Sequence, residues 1–188
     1  PHDKLALSTS SLFRGWSRLL NNHASAEQGG TMVLISPFIQ KNYHIQHTIV
    51  EQGRVQLITL RPKCESAGSP DLKIVNCYFP TGGLQLNDRR ISIFQKLLSY
   101  ADDSHTILLG DMNFVENPDD SVNPEKIHPL SNEAKSAWED VLHAFKLHEV
   151  HQPNHTFLRI HEAPQSSQTS RLDRVYISHS EADQTLHT

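Results

Sequence analysis

The segment 106–113 reads Thr-Ile-Leu-Leu-Gly-Asp-Met-Asn, and it constrains the fold more than any other stretch of this chain. Its β-prone apolar run predicts a buried strand that ends at Gly110. Residues two apart in a strand point to the same side. With extended backbone through residue 113, Asp111 and Asn113 project together from the strand's C-terminal end. Gly110 lets the backbone leave the strand, or lets a ligand approach it closely. A carboxylate takes a proton or holds a hard cation, and a carboxamide orients an oxyanion or a water. Metal-assisted hydrolysis of a phosphate ester needs such a pair. The competing reading is an ordinary strand-ending turn, where Asp and Asn are common.

Around this strand the apolar pattern alternates between short strands and amphipathic helices. Residues 8–20 place Leu12, Phe13, Trp16, Leu19 and Leu20 at helical spacing, behind a Ser8, Thr9 or Ser10 cap. Residues 31–39 read as a strand. Residues 44–51 and 54–61 read as a hairpin turning at Gln52-Gly53. Residues 72–79 form a further strand, closed by Pro80-Thr81-Gly82-Gly83. A helix is expected over 87–100, with Ile91, Phe94, Leu97 and Leu98 on one face. A polar loop over 114–129 leads to a second helix over 131–147, striped by Ala134, Trp138, Val141, Leu142 and Phe145. Strands over 156–160 and 171–178 flank a Ser/Gln-rich loop. The prediction is an α/β protein with sheets stacked on each other and helices outside, and one domain over 1–188.

Composition excludes several classes. Hydrophobic content of 37% with 20% charged residues describes a folded chain rather than a disordered one. No apolar run approaches the roughly 20 residues of a membrane span, and no secretory leader is seen, which points to a nuclear or cytoplasmic location. Two cysteines, Cys64 and Cys77, are too few for a disulfide framework, and Cys77 is expected as a buried thiol. Asn154-His155-Thr156 matches a glycosylation sequon, read as chance without export. A net charge of −4 is the wrong sign for binding nucleic acid through a bulk basic surface. Contact with DNA then needs a local basic rim or a metal. Arg89 and Arg90, near a helix start, are candidates for that rim, against a solvated helix face.

Three segments stand out together: Asn76-Cys77-Tyr78-Phe79-Pro80, Leu109-Gly110-Asp111-Met112-Asn113, and Ser170 to Ser178 with its Arg171-Leu172-Asp173 core. Their order and spacing resemble the endonuclease/exonuclease/phosphatase superfamily. Within it they look most like the endonuclease domains of LINE-type (non-LTR) retrotransposon polyproteins, relatives of apurinic/apyrimidinic (AP) endonucleases. The resemblance spans residues 32–178. It implies a four-layer sandwich of two mainly antiparallel sheets flanked by helices. It also implies Mg2+-dependent phosphodiester hydrolysis, with Mn2+ as a substitute, DNA as partner and a reverse transcriptase in the parent polyprotein. By position, Asp111 would set or deprotonate the attacking water near the metal. Asn113 would hold the scissile phosphate and the metal shell. The Tyr78 hydroxyl would face the phosphate, and Asp173 would support a catalytic histidine. Asn76 and Arg171 would bind substrate.

The chain also departs from that pattern. The family's early asparagine, its metal-binding glutamate and its terminal Ser-Asp-His are not seen, so both ends are expected to be truncated, with terminal strands missing. Activity of this stretch is accordingly expected to be weak or nil, and whether it is an enzyme stays open. The alternatives are a non-catalytic remnant, or a phosphoinositide or sphingomyelin hydrolase of the same fold.

Plainer readings stand beside each site residue. Tyr78 could be a core tyrosine. Asp173 could pair with Arg171 or Arg174, all three expected on one side of the strand. Glu116, Asp119 and Asp120 read as a solvated acidic loop rather than a cation site. His143, His148, His151, His155 and His161 invite zinc, but Pro153 between His151 and His155 argues against a helical pair there, and no cysteine pair accompanies them.

Overall fold

The computed structural model describes residues 13–22, 29–64, 70–122, 130–150, 152, 154–159 and 168–178. Strands β1 (Ser17–Asn22) and β2 (Gly30–Ile35) pair as an antiparallel two-stranded sheet. A short helix α1 (Pro37–Asn42) leads into β3 (Tyr43–Glu51), which turns back as β4 (Val55–Pro62). Strand β5 (Leu72–Tyr78), helix α2 (Asn87–Leu98) and β6 (His105–Asp111) form a crossover with the two strands parallel. Helix α3 (Asn132–Ala144) is followed by β7 (Leu147–Glu149), β8 (Phe157–Arg159), β9 (Gln168–Ser170) and β10 (Asp173–Ser178). Strand β10 enters between β6 and β7, antiparallel to both. The large sheet therefore runs β3-β4-β5-β6-β10-β7, antiparallel except at β5–β6, and β8–β9 is a separate pair.

Alternation divides the large sheet between two cores. Val55, Leu57, Val75, Cys77, Leu108 and Tyr176 face the helix side, where they meet Phe94 and Leu97 of α2 and Trp138 and Val141 of α3. Phe79, Phe94, Phe114 and Trp138 sit at the centre, with ring centroids 5.2–6.1 Å apart. Edge-to-face packing of this kind adds about 0.5–1.5 kcal/mol per pair beyond burial. The other face carries Ile58, Leu60, Leu72 and Ile74 against Ile35, Leu19 and Val33 of the small sheet. The result is the expected α/β sandwich: helices, a six-stranded sheet, and a second, smaller sheet on top. Among the described residues, no helix is long and apolar enough to cross a membrane.

Four sequence expectations are corrected. Residues 17–22 form β1, not a helix, and the residues before 13 lie outside the described ones. Gly15 at φ +80° breaks any helix there, and full pairing with β2 overrides the 3.6-residue spacing. Strand β2 stops at Ile35 because Ser36 caps α1: its hydroxyl accepts from the Ile39 N–H at 3.3 Å, with Pro37 as the first helical residue. The second helix ends at Ala144, not Leu147, since Lys146 at φ +55° turns the chain so that Leu147 can pair with Ser178. Finally, the Ser/Gln-rich loop contains β9, held to β8 and bridged from Ser170 to Ser121. The stretches 123–129, 151, 153 and 160–167 lie outside the described residues, His151, Pro153 and His161 included. The Gln52-Gly53 hairpin, β5, α2 and the Trp138 stripe agree with the sequence reading.

Candidate active site

The register of three strands brings the motif residues into one row. Tyr78 ends β5 and pairs with Asp111 at the end of β6, which in turn pairs with Asp173 at the start of β10. All three lie on the face opposite the helices, by alternation from Cys77, Leu108 and Tyr176. The row belongs to one sheet end because β5 and β6 are parallel and both reach their C-termini there, the usual place for a site in an open α/β sheet.

Asp111 is half-buried and its pKa is raised above the ordinary carboxylate value. Burial is the main cause, and the nearby Asp173 charge adds to it. The Asn113 N–H, donating to Asp111 Oδ1 at 3.0 Å, works the other way. That hydrogen bond is an Asx turn. The strand therefore ends at Asp111, and Asn113 adopts φ +52° instead of continuing the extended chain. The expectation that the two side chains project in parallel is corrected. Asn113 instead folds back, and its Nδ2 donates to the Phe79 carbonyl at 3.0 Å, which ties the ends of β5 and β6 together.

Gly110 accommodates close approach, but of the neighbouring strand rather than of a ligand. A Cβ there would drive into the Cys77 carbonyl, and φ is +141°. Cys77 itself is buried, and that burial pushes its thiol pKa up.

The remaining predicted residues stand elsewhere. Asn76 lies on the same face as Tyr78, but its Nδ2 donates to the Met32 carbonyl of the covering sheet at 3.2 Å. Arg171 donates from Nε and a terminal nitrogen to Asp120 Oδ1 at 3.0 and 2.6 Å, and also pairs with Glu149 at 3.1 Å. Arg174 points to the helix side, away from Asp173, and is fully buried against Asp120 and Glu149. The placement of Asp173, Arg171 and Arg174 on one side is thereby corrected. Asp120 and Glu116 are not a solvated acidic loop. Asp120 is only 2% exposed, and Glu116 accepts from Trp138 Nε1 at 2.9 Å and from the Tyr176 hydroxyl. Arg90 is buried too, and donates to the carbonyls of Pro80, Gly82 and Asn113 at 2.8–3.1 Å, so it is no exposed rim residue.

Two residues that the sequence reading passed over belong beside the row. Arg54 closes the hairpin turn just before β4, and its carbonyl accepts from the Tyr78 N–H at 2.7 Å, which sets it beside the row. Asn21, fully buried, holds that turn: Nδ2 donates to the carbonyls of Glu51 and Val55, and Oδ1 accepts from the Gly53 N–H. A signal for Arg54 exists in the sequence, since it shares a strand face with Gln56, Ile58 and Leu60 yet carries a charge.

The donor chemistry fits a hard divalent cation. Asp111 and Asp173 offer carboxylate oxygens and Asn113 a carboxamide oxygen. Mg2+ is commonly bound by one or two carboxylates plus substrate phosphate and water. Among the described residues, no group of three or more His, Cys, Asp and Glu forms a metal cage.

No family model and no curated protein sequence matches this chain significantly. Solved structures do. One is the endonuclease domain of TRAS1, a telomere-specific non-LTR retrotransposon, at TM-score 0.61 and 14% identity, covering 92% of this chain and 71% of that one. Another is an AP endonuclease from Archaeoglobus fulgidus, at TM-score 0.60 and 17% identity, covering 88% of this chain and 68% of that one. At such identities the likeness is one of fold. This chain therefore has the fold of these two nucleases, the one its three motifs resemble.

Proposed function

We propose that this chain is a nuclease-type phosphodiesterase domain that nicks DNA with Mg2+ or Mn2+, within a retrotransposon-type polyprotein that also carries a reverse transcriptase. The observation that carries the reading is the row Tyr78–Asp111–Asp173 across three adjacent strands. Asp111, with its raised proton affinity, orients the attacking water and takes its proton. The Tyr78 hydroxyl donates to a phosphate oxygen as charge builds there. Asp173 adds negative charge beside Asp111 and so favours a cation at this point of the sheet. Asp111 and Asn113 are the residues that would hold Mg2+. Such a cation neutralises phosphate charge and acidifies a water. Asn76 and Arg171 were expected to bind substrate. Their donors to Met32, Asp120 and Glu149 favour a supporting role behind the row.

The test is nicking of supercoiled plasmid in Mg2+ and in EDTA, by this chain and by a form extended through the adjoining reading frame. Nicking by the extended form that disappears in EDTA and in Asp111→Asn is the expected result. No nicking by either form, or nicking untouched by Asp111→Asn, overturns the assignment. Turnover of phosphoinositide or sphingomyelin in the same assay set would replace DNA as substrate.

A further inference from the structure

Arg54 is a cation beside the candidate row. Its side chain is more than nine-tenths buried, its Nε is shielded from water, and no hydrogen-bond acceptor faces that Nε among the described residues. A buried guanidinium without a carboxylate is costly, so its position calls for an account. The polar and ring contacts of its guanidinium lead to Tyr78. The guanidinium carbon stands 4.8 Å from the centre of the Tyr78 ring. A terminal nitrogen reaches the Tyr78 carbonyl at 3.5 Å, and the two backbones are joined by the Tyr78 N–H.

Gly29 also stands close to the guanidinium. A Cβ there would lie 3.3 Å from both Cζ and Nε of Arg54 and 2.8 Å from the Gly53 carbonyl, and φ is +82°. Glycine is required here by the Gly53 carbonyl and by φ, and its missing Cβ also leaves the guanidinium room. Asn21 meanwhile fixes the turn that carries Arg54. The guanidinium thus stands over one face of the Tyr78 ring, with the Asn21-held turn and Gly29 beside it.

We propose that Arg54 is the positioning residue for Tyr78, clamping its ring by one face so that the hydroxyl stays at the phosphate-facing end of the row; this rests on the nuclease reading. A cation over an aromatic face holds the ring by its quadrupole. It also draws electron density from the phenol, which makes the hydroxyl a better donor to a phosphate oxygen. A lysine ammonium carries the charge but not the flat surface, so it does not replace the clamp.

The experiment uses the full chain with 13C-labelled tyrosine rings. The Tyr78 signals are assigned by their loss in Tyr78→Phe. In Arg54→Lys and Arg54→Met those signals are expected to move, while the Tyr43, Tyr100 and Tyr176 signals stay and report an intact fold. Lysine keeps the charge and serves where methionine does not fold. Tyr78 signals that stay in place in the folded variants overturn the proposal. A second readout is affinity for a short DNA duplex in EDTA. Arg54→Lys should weaken it roughly three- to tenfold, and have little effect once Tyr78→Phe is present, because coupled residues are non-additive. Equal weakening in both backgrounds makes Arg54 a direct contact and overturns the proposal. If no form binds the duplex, the nuclease reading fails while the ring signals still decide the clamp.

Discussion

Asp111 and Asp173 stand directly opposite each other in the antiparallel pairing of β6 with β10. Burial makes the folded chain favour a proton on Asp111, and the Asp173 carboxylate at its side adds to the preference. The folded-state pKa of Asp111 lies above its unfolded value of about 3.9. The group therefore favours folding most at pH below that value, and the advantage is lost as pH rises through the folded pKa. At neutral pH Asp111→Asn should raise Tm by at most a few degrees, since about 1 kcal/mol corresponds to roughly 2–4 °C at this size. Nicking by an active form should fall by about 100-fold or more. Thermal melts at pH 7 and pH 3.5 check the sign, with the gain shrinking at the lower pH. A variant less stable than the parent at pH 7 contradicts it.

Gly110 is required by its neighbour rather than by a ligand. Gly110→Ala places a methyl against the Cys77 backbone in the middle of the sheet, where neither strand can shift alone. The expected loss is about 3 kcal/mol or more. Urea melts measure it, and a loss under about 1 kcal/mol would show that β5 and β6 can separate locally.

Asp120 makes stability sensitive to acid. Burial works to raise its pKa, but the Asn117 N–H and the guanidiniums of Arg171 and Arg174 prevail and hold it below the ordinary value. A depressed carboxyl contributes stability above its unfolded pKa and loses it as pH falls through the folded one. The contribution is thus complete at neutral pH and fades below about pH 4. Asp120→Asn should cost about 3–5 kcal/mol at pH 7, because it leaves the buried Arg174 with Glu149 as its one remaining ion pair among the described residues. The penalty should narrow in melts repeated towards pH 3. A constant penalty would mean that shape, not charge, is what Asp120 supplies.

Arg90 ties the loop after β5 to the loop after β6. Its guanidinium serves the carbonyls of Pro80, Gly82 and Asn113 at once. Arg90→Met strands these buried acceptors and should cost about 2–4 kcal/mol. Arg90→Lys should recover only part of that, since a single ammonium gives up the second terminal nitrogen's bond to Asn87 Oδ1 and the planar fork that joins them. Equal stability of the lysine variant and the parent would show that charge alone suffices.

The strands and the row were largely legible because they rest on local signals. The run before Gly110, the Gln52-Gly53 turn and the 3.6-residue stripe of Trp138 each depend on residues near in sequence. What was not legible depends on contacts made at a distance. Residues 17–22 carry leucines at helical spacing, and only their pairing with 30–35 makes them a strand. Arg90, Asp120 and Arg174 look like surface charges, and only the folded core shows their partners. Asn113 was expected to extend the strand, but its own amide reaches back to Asp111. Asp and Asn two apart fit that turn as well as they fit a strand end.

The row from Arg54 through Tyr78 and Asp111 to Asp173 draws one residue from the turn before β4 and one from each of three neighbouring strands, spread along most of the chain. The β3–β4 hairpin can close early and cheaply. Strand β6 must then wait for a crossover, and β10 must return from more than sixty residues away to lie beside it. Loop closure over such spans is slow and is rewarded only when the last strand docks. The site is therefore absent from every partly folded form that lacks β10. Amide exchange at Leu109 and Val175 will report the same opening event as the appearance and loss of the row itself.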